Sequence, residues 1–128
     1  MSTQKTPQTQ QNITHNVMIE HVISLFRDTM PFNQLLGLEF VTQGVGLETE
    51  IALHLNWQPS LTGNPMQKIL HGGVTATMLD TIGGLVSIVE TIKQTSKDEL
   101  INLQSRLSTM GTVDMRVDYL RPGRGEQF

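Results

Sequence analysis

The run from Val74 to Ile92 constrains the fold more than any other part of the chain. It places Val, Met, Leu or Ile at nearly every other position and is about as long as a bilayer span needs. Asp80 and Glu90 fall within it, together with Thr75, Thr77, Thr81 and Ser87, and the pair Gly83-Gly84 weakens an isolated helix further. The run is therefore read as a helix buried inside protein, not in a membrane. A helix apolar on all sides has to be wrapped, and an antiparallel sheet curled around it does so economically. The expected class is α+β.

The flanking sequence agrees with that class. From Asn16 the spacing of Met18, Val22, Leu25 and Phe26 predicts an amphipathic first helix, closed by Asp28 to Pro31. Between Gly46 and Leu55 the period changes to two. Leu47, Thr49, Ile51, Leu53 and Leu55 share one face, opposite Glu48, Glu50, Ala52 and His54, which predicts a half-buried strand. Leu36 to Gly44 reads as its hairpin partner, and Trp57 to Pro65, with Pro59, Ser60, Gly63, Asn64 and Pro65, as a loop. After the polar stretch Lys93 to Glu99, Gly111 to Leu120 alternates again, with Val113, Met115, Val117 and Tyr119 opposed to Asp114, Arg116 and Asp118. A second strand region is expected there, ended by Arg121-Pro122-Gly123.

The 128 residues, 38% hydrophobic, suffice for one domain. Residues 1–14 read as a disordered polar tail and residues 15–128 as that domain. The opening MSTQKTPQTQQN has no apolar core and no cleavage site of a secretory signal. Nine Lys and Arg against twelve Asp and Glu give a net charge of -3 with no basic block, so a nucleic-acid partner is not expected. The absence of cysteine excludes disulfides, thiolate catalysis and cysteine-ligated metals, and fits a cytoplasmic location. His15, His21 and His54 are too widely spaced for a zinc site. No metal and no cofactor are expected.

Chemistry concentrates at the start of the long helix. If it begins near Gly72, the N–H groups of Gly72 and Gly73 lie in its first turn, unpartnered and at the positive end of the dipole. Such donors can polarise a carbonyl, and glycine lets a substrate approach the main chain closely. A bare Gly-Gly pair also serves simply to ease a tight entry into a helix. Asp80 is the only charged residue between His71 and Glu90, and it reads either as a carboxylate that hydrogen-bonds locally or reaches solvent through a helix edge, or as a general base or nucleophile in a cleft. Gly72 and Asp80 are eight residues apart, roughly 12 Å along a helix. They cannot serve one carbonyl together. If both act on one bond, the carboxylate comes from a second chain whose helix lies antiparallel alongside, as in a two-fold dimer.

The stretch ILHGGVTATMLDTIGG, Ile69 to Gly84, resembles the signature of hotdog-fold acyl-CoA thioesterases, of the phenylacetate-degradation type within the 4-hydroxybenzoyl-CoA thioesterase superfamily. Gly63-Asn64-Pro65 and GTVDMRVDYLRPGRGE, Gly111 to Glu126, resemble the family in kind and order, so the likeness runs from about Pro31 to the end. It implies a hotdog fold, an antiparallel sheet around one long central helix, preceded here by an additional N-terminal helix. It also implies that Gly72 donates its N–H to the thioester oxygen, that Asp80 activates water or attacks the thioester, that His71 and Asn64 orient the acyl-thioester, and that Thr112 lies near the attacking water. Gly73 would border the substrate, and Arg121 and Arg124 could meet the phosphates of coenzyme A. A homodimer, paired into a homotetramer, is expected. Relatives continue for two more strands beyond the Arg-Pro turn, so the chain is expected to lack the final strands of the family.

Two competing functions are weighed against a thioesterase. Hydratases of the same fold carry an Asp-x-Asn-Pro-x-His pattern, which Asn64-Pro65 resembles. Thr62 and Gln67 occupy the two working positions, so the acid–base pair is missing. A non-catalytic acyl-CoA or fatty-acid binding module would keep the groove and the glycines but would not need a carboxylate at position 80.

Overall fold

A helix, α1 (Pro7–Ser24), opens the computed structural model, which describes residues 7–128. It starts earlier than the apolar spacing predicts and takes in the second half of the expected tail; residues 1–6 lie outside the described residues. A single π-helical turn, Leu25–Thr29, follows. Pro31 disfavours helical backbone at the residue before it, and Met30 is extended (φ -92°, ψ 105°), so the helical path breaks there. The Asn33 amide donates to the Phe26 carbonyl at 2.9 Å and caps the break. The chain then re-enters helix as α2 (Pro31–Leu36), with proline in the first turn and Gly37 in the left-handed conformation at its end.

The predicted hairpin is present. β1 (Glu39–Gln43) and β2 (Glu50–His54) pair antiparallel, with Glu39 opposite His54 and Gln43 opposite Glu50. The connection needs its glycines: Gly44 and Gly46 have φ of +77° and +60°, and a Cβ on Gly44 would collide with the Glu48 carbonyl. The strand starts later than expected because Gly46–Glu48 forms a 3-10 turn and Leu47 stays partly exposed. From Thr49 on the alternation holds, with Thr49 and Leu55 buried.

Part of the expected loop is structured. β3 (Thr62–Asn64) pairs antiparallel with β4 (Ile69–Leu70), ladders too short to show a period. β4 leads into α3 (Gly72–Gln94), the predicted long helix. A further helix, α4 (Leu100–Leu107), follows where no element was expected. The last residues return beside β2 and β4: Leu55 and Phe128 exchange backbone hydrogen bonds at 2.9 Å, and Leu70 N–H donates to Gly123.

Two apolar clusters hold these elements. Leu85, Val89 and Ile92 of α3, at i, i+4 and i+7, meet Ile19, Val22 and Ile23 of α1 and Leu100 and Leu103 of α4. Each fully buried aliphatic side chain contributes roughly 1.5–3 kcal/mol relative to exposure. The His15 ring, itself buried, bonds the Thr95 carbonyl at 2.8 Å and ties α1 to the end of α3. The second cluster gathers Leu38, Leu55, Leu61 and Leu70 under Trp57, Val74, Met78 and Phe128.

α3 packs against the rest of the chain on one side, and Leu79 and Val86 remain exposed. The strand expected at Gly111 to Leu120 does not form: the segment runs without a ladder partner among the described residues, and Val113 and Leu120 are almost fully exposed. An alternating pattern acquires regular pairing only where a neighbouring strand supplies the hydrogen bonds.

Candidate active site

α3 begins at the predicted residue, and its first turn sorts the available donors. His71 is its N-cap (φ -62°, ψ 131°), and the ring Nδ1 accepts the Gly73 N–H at 2.9 Å. Neutral His71 therefore carries its proton on Nε2, facing outward. The His71 carbonyl accepts the Val74 N–H at 2.9 Å. The Gly72 N–H has no acceptor among the described residues. Of the two glycine donors proposed from sequence, Gly72 is the one without an acceptor among the described residues, while Gly73 is committed to the cap.

The surroundings of this turn explain two other glycines. His71 N–H donates to Leu61 at 2.8 Å, and a Cβ on Gly63 would lie 2.7 Å from the His71 Cα, so only glycine lets β3 pass so close. A Cβ on Gly123 would meet Leu70 at 3.0 Å. Asn64 turns its Oδ1 to the N–H groups of Met66 and Gln67, at 3.0 and 3.3 Å, which leaves its Nδ2 as a donor. Arg124 is engaged with Gln67, reaching the carbonyl at 2.8 Å. Arg121 is exposed and lines a pocket of about 680 Å³ with Gly72, Tyr119 and Leu120.

Asp80 lies two turns further along α3. It is exposed in the single chain, so it carries no burial cost there, as one of the two readings of a lone carboxylate in an apolar run expects. Thr112 Oγ1 donates to Asp80 Oδ1 at 2.5 Å, bringing together two residues that the sequence reading had placed in one site. Both line a groove of about 780 Å³ between α3 and the segment Phe26 to Asn33. Its walls are mostly apolar, with Phe26, Met30, Phe32, Ile88, Met110 and Met115, and Gly83 and Gly84 form part of the floor. Gly72 and Asp80 thus open on two different pockets of one chain. Among the described residues no three His, Asp or Glu side chains gather as a metal site.

Two contributors escaped the sequence reading. The wall from Phe26 to Asn33 was legible only as the end of a helix. Tyr119 was assigned to an apolar face, yet its hydroxyl donates to the Gly72 carbonyl at 2.7 Å. The sole tyrosine of the chain carried its hydroxyl as the one available signal.

Comparison with known proteins places the chain in a family. The chain is 44% identical over 117 residues to the medium/long-chain acyl-CoA thioesterase YigI of Escherichia coli K12, an alignment covering 91% of this chain and 73% of that protein. The chain belongs to the thioesterase superfamily. Residues 67–127, the stretch from the β3–β4 turn to the C-terminal return, match the family described by that name. The protein of the same description from Salmonella typhimurium is 43% identical, again over 91% of this chain and 73% of its own length. A crystal structure of a Shewanella oneidensis protein related to the superfamily superposes with a TM-score of 0.79 at 42% identity, covering 91% of this chain and 74% of that one. The fold is accordingly that of the superfamily, α+β with an antiparallel sheet, a long central helix and an N-terminal helix.

Proposed function

We propose that this chain hydrolyses acyl-CoA thioesters to the free acid and coenzyme A, with a preference for medium and long acyl chains. The observation that carries the reading is the division of labour along α3: a free N–H at Gly72, and two turns on a carboxylate fixed by Thr112 at the edge of an apolar groove. The relatives named medium/long-chain acyl-CoA thioesterases support the substrate class, and the groove is within the size range of small-molecule sites.

In this mechanism the thioester oxygen accepts the Gly72 N–H, and the dipole of α3 stabilises the negative charge that develops there. His71 Nε2–H and Asn64 Nδ2 hold the acyl-thioester in place. The carboxylate is Asp80 of the partner subunit, since roughly 12 Å separates the two positions along one helix. It takes a proton from a water placed near Thr112 as the oxygen attacks the carbonyl carbon; the tetrahedral intermediate collapses, the C–S bond breaks, and the partner's Asp80 returns that proton to the departing sulfur so that coenzyme A leaves as the free thiol. Arg121 is the guanidinium placed for coenzyme phosphates, whereas Arg124 braces the β3–β4 turn. A two-fold dimer completes the site and covers the exposed side of α3, with dimers pairing into a tetramer in the cytoplasm. The subtype is the phenylacetate-degradation type. This reading needs no cofactor and no metal.

Free-thiol release from short, medium, long and aromatic acyl-CoAs tests it, with Asp80→Asn measured beside the parent chain. Turnover should be highest for medium and long chains and fall about 100-fold or more in the variant, the range of general-base catalysis. A folded dimer that binds acyl-CoA but never releases thiol would make the protein a binding module instead.

A further inference from the structure

We infer that Tyr119 is a positioning residue for the helix-terminal donors; its effect on turnover rests on the proposed hydrolase reading. Its phenol donates to the Gly72 carbonyl at 2.7 Å. That carbonyl belongs to the same peptide unit as the Gly73 N–H, which donates to His71 Nδ1 at 2.9 Å. The result is one hydrogen-bonded chain: Tyr119 O–H to the Gly72–Gly73 peptide, and that peptide to the His71 ring. Polarising a peptide carbonyl strengthens the hydrogen bond made by its own N–H, so Tyr119 reinforces the bond that keeps the His71 proton on Nε2. The ring adds a steric contribution. A Cβ on Gly72 would lie 3.2 Å from Tyr119 Cε1, so the phenol rests directly on the Gly72 backbone and restrains the donor that has no acceptor of its own.

Packing does not account for the hydroxyl: Tyr119 is 57% exposed, and Leu120 and Val113 in the same segment are more exposed still. Among the described residues the hydroxyl has one partner, the first carbonyl of α3.

Tyr119→Phe separates these roles, because it keeps the ring on Gly72 and removes only the donor. Acyl-CoA kinetics and backbone and imidazole nitrogen NMR on the full chain are to be read together. The Phe variant should lose about 3- to 10-fold in kcat, the range one neutral hydrogen bond sets, with KM within about twofold. Its Gly73 amide should exchange faster, and the His71 nitrogens should show a mixture of tautomers. Unchanged Gly73 exchange with an unchanged His71 tautomer overturns the inference whatever the turnover. Changed signals with no turnover in either protein keep the positioning role and reject the hydrolase reading instead.

Discussion

Thr112 gives Asp80 an orientation that the helix alone does not supply. One carboxylate oxygen is held by the threonine hydroxyl, and the residue lines the groove. A different carboxylate, Asp28, shows what an exposed partner does. Arg27 donates to both its oxygens, at 2.8 and 2.7 Å, and this hydrogen bonding holds the Asp28 carboxyl below its ordinary value, partly opposed by slight desolvation and aided by the charge of Arg27. A lowered folded-state value means that the pair's contribution is present above the unfolded value and is lost as pH falls through the lowered one. An NMR titration should place the Asp28 midpoint below that of the same residue in Arg27→Gln. Stability should change little, since about half of each side chain is open to solvent. At this scale His71, Gly72 and Asp80 were legible because they share one contiguous helix and its spacing. Tyr119 was not, because its partner stands 47 residues away in sequence.

α3 divides its surface between two tasks. Leu85, Val89 and Ile92 make the core, while Gly83, Gly84 and Ser87 open on the groove. Glycine inside a helix costs about 1 kcal/mol relative to alanine. Here it leaves room: a Cβ on either glycine would meet nothing within 4 Å. Gly84→Leu should therefore shift acyl preference toward shorter chains, with long-chain kcat/KM falling about tenfold or more, comparable to pocket contacts worth 1–3 kcal/mol. The melting temperature, followed by circular dichroism, should hold or rise because leucine is the better helix former. The β1–β2 hairpin and α3 were readable from clean periods and glycine punctuation. α4 was not, because the helix spans barely two turns beside a polar stretch and only Leu100 and Leu103 of it are buried. Gly111 to Leu120 had the pattern of a strand, and pattern does not supply a partner. Thr112 and Tyr119 both reach α3 although they are seven positions apart, an odd offset that would put them on opposite faces of a strand, so the segment cannot hold a flat alternation.

The whole molecule is where the two-chain site can be tested. Gly72→Pro removes the N–H while keeping a residue that suits the first turn of a helix, and the extended His71 tolerates a following proline. Tyr119 would have to yield slightly to the ring. Gly72→Pro and Asp80→Asn should each be nearly inactive alone. Unfolded together at equal amounts and refolded, they should recover about a quarter of parent activity, because half the dimers are mixed and each mixed dimer holds one intact site of two. Recovery of none, from mixed dimers shown to form, would place both groups in one chain's own site. The sequence shows a helix apolar all round but not whose surface completes its covering.

The separation of Gly72 from Asp80 on one helix also has a dosage consequence. On the proposed two-chain reading, each chain owns two halves of two different sites and no whole one, so activity follows the concentration of pairs rather than of chains. Scarce protein would then be silent out of proportion to its scarcity. A cell making twice as much would gain more than twice the turnover until assembly saturates, giving the amount of protein a threshold that no separate regulator has to impose.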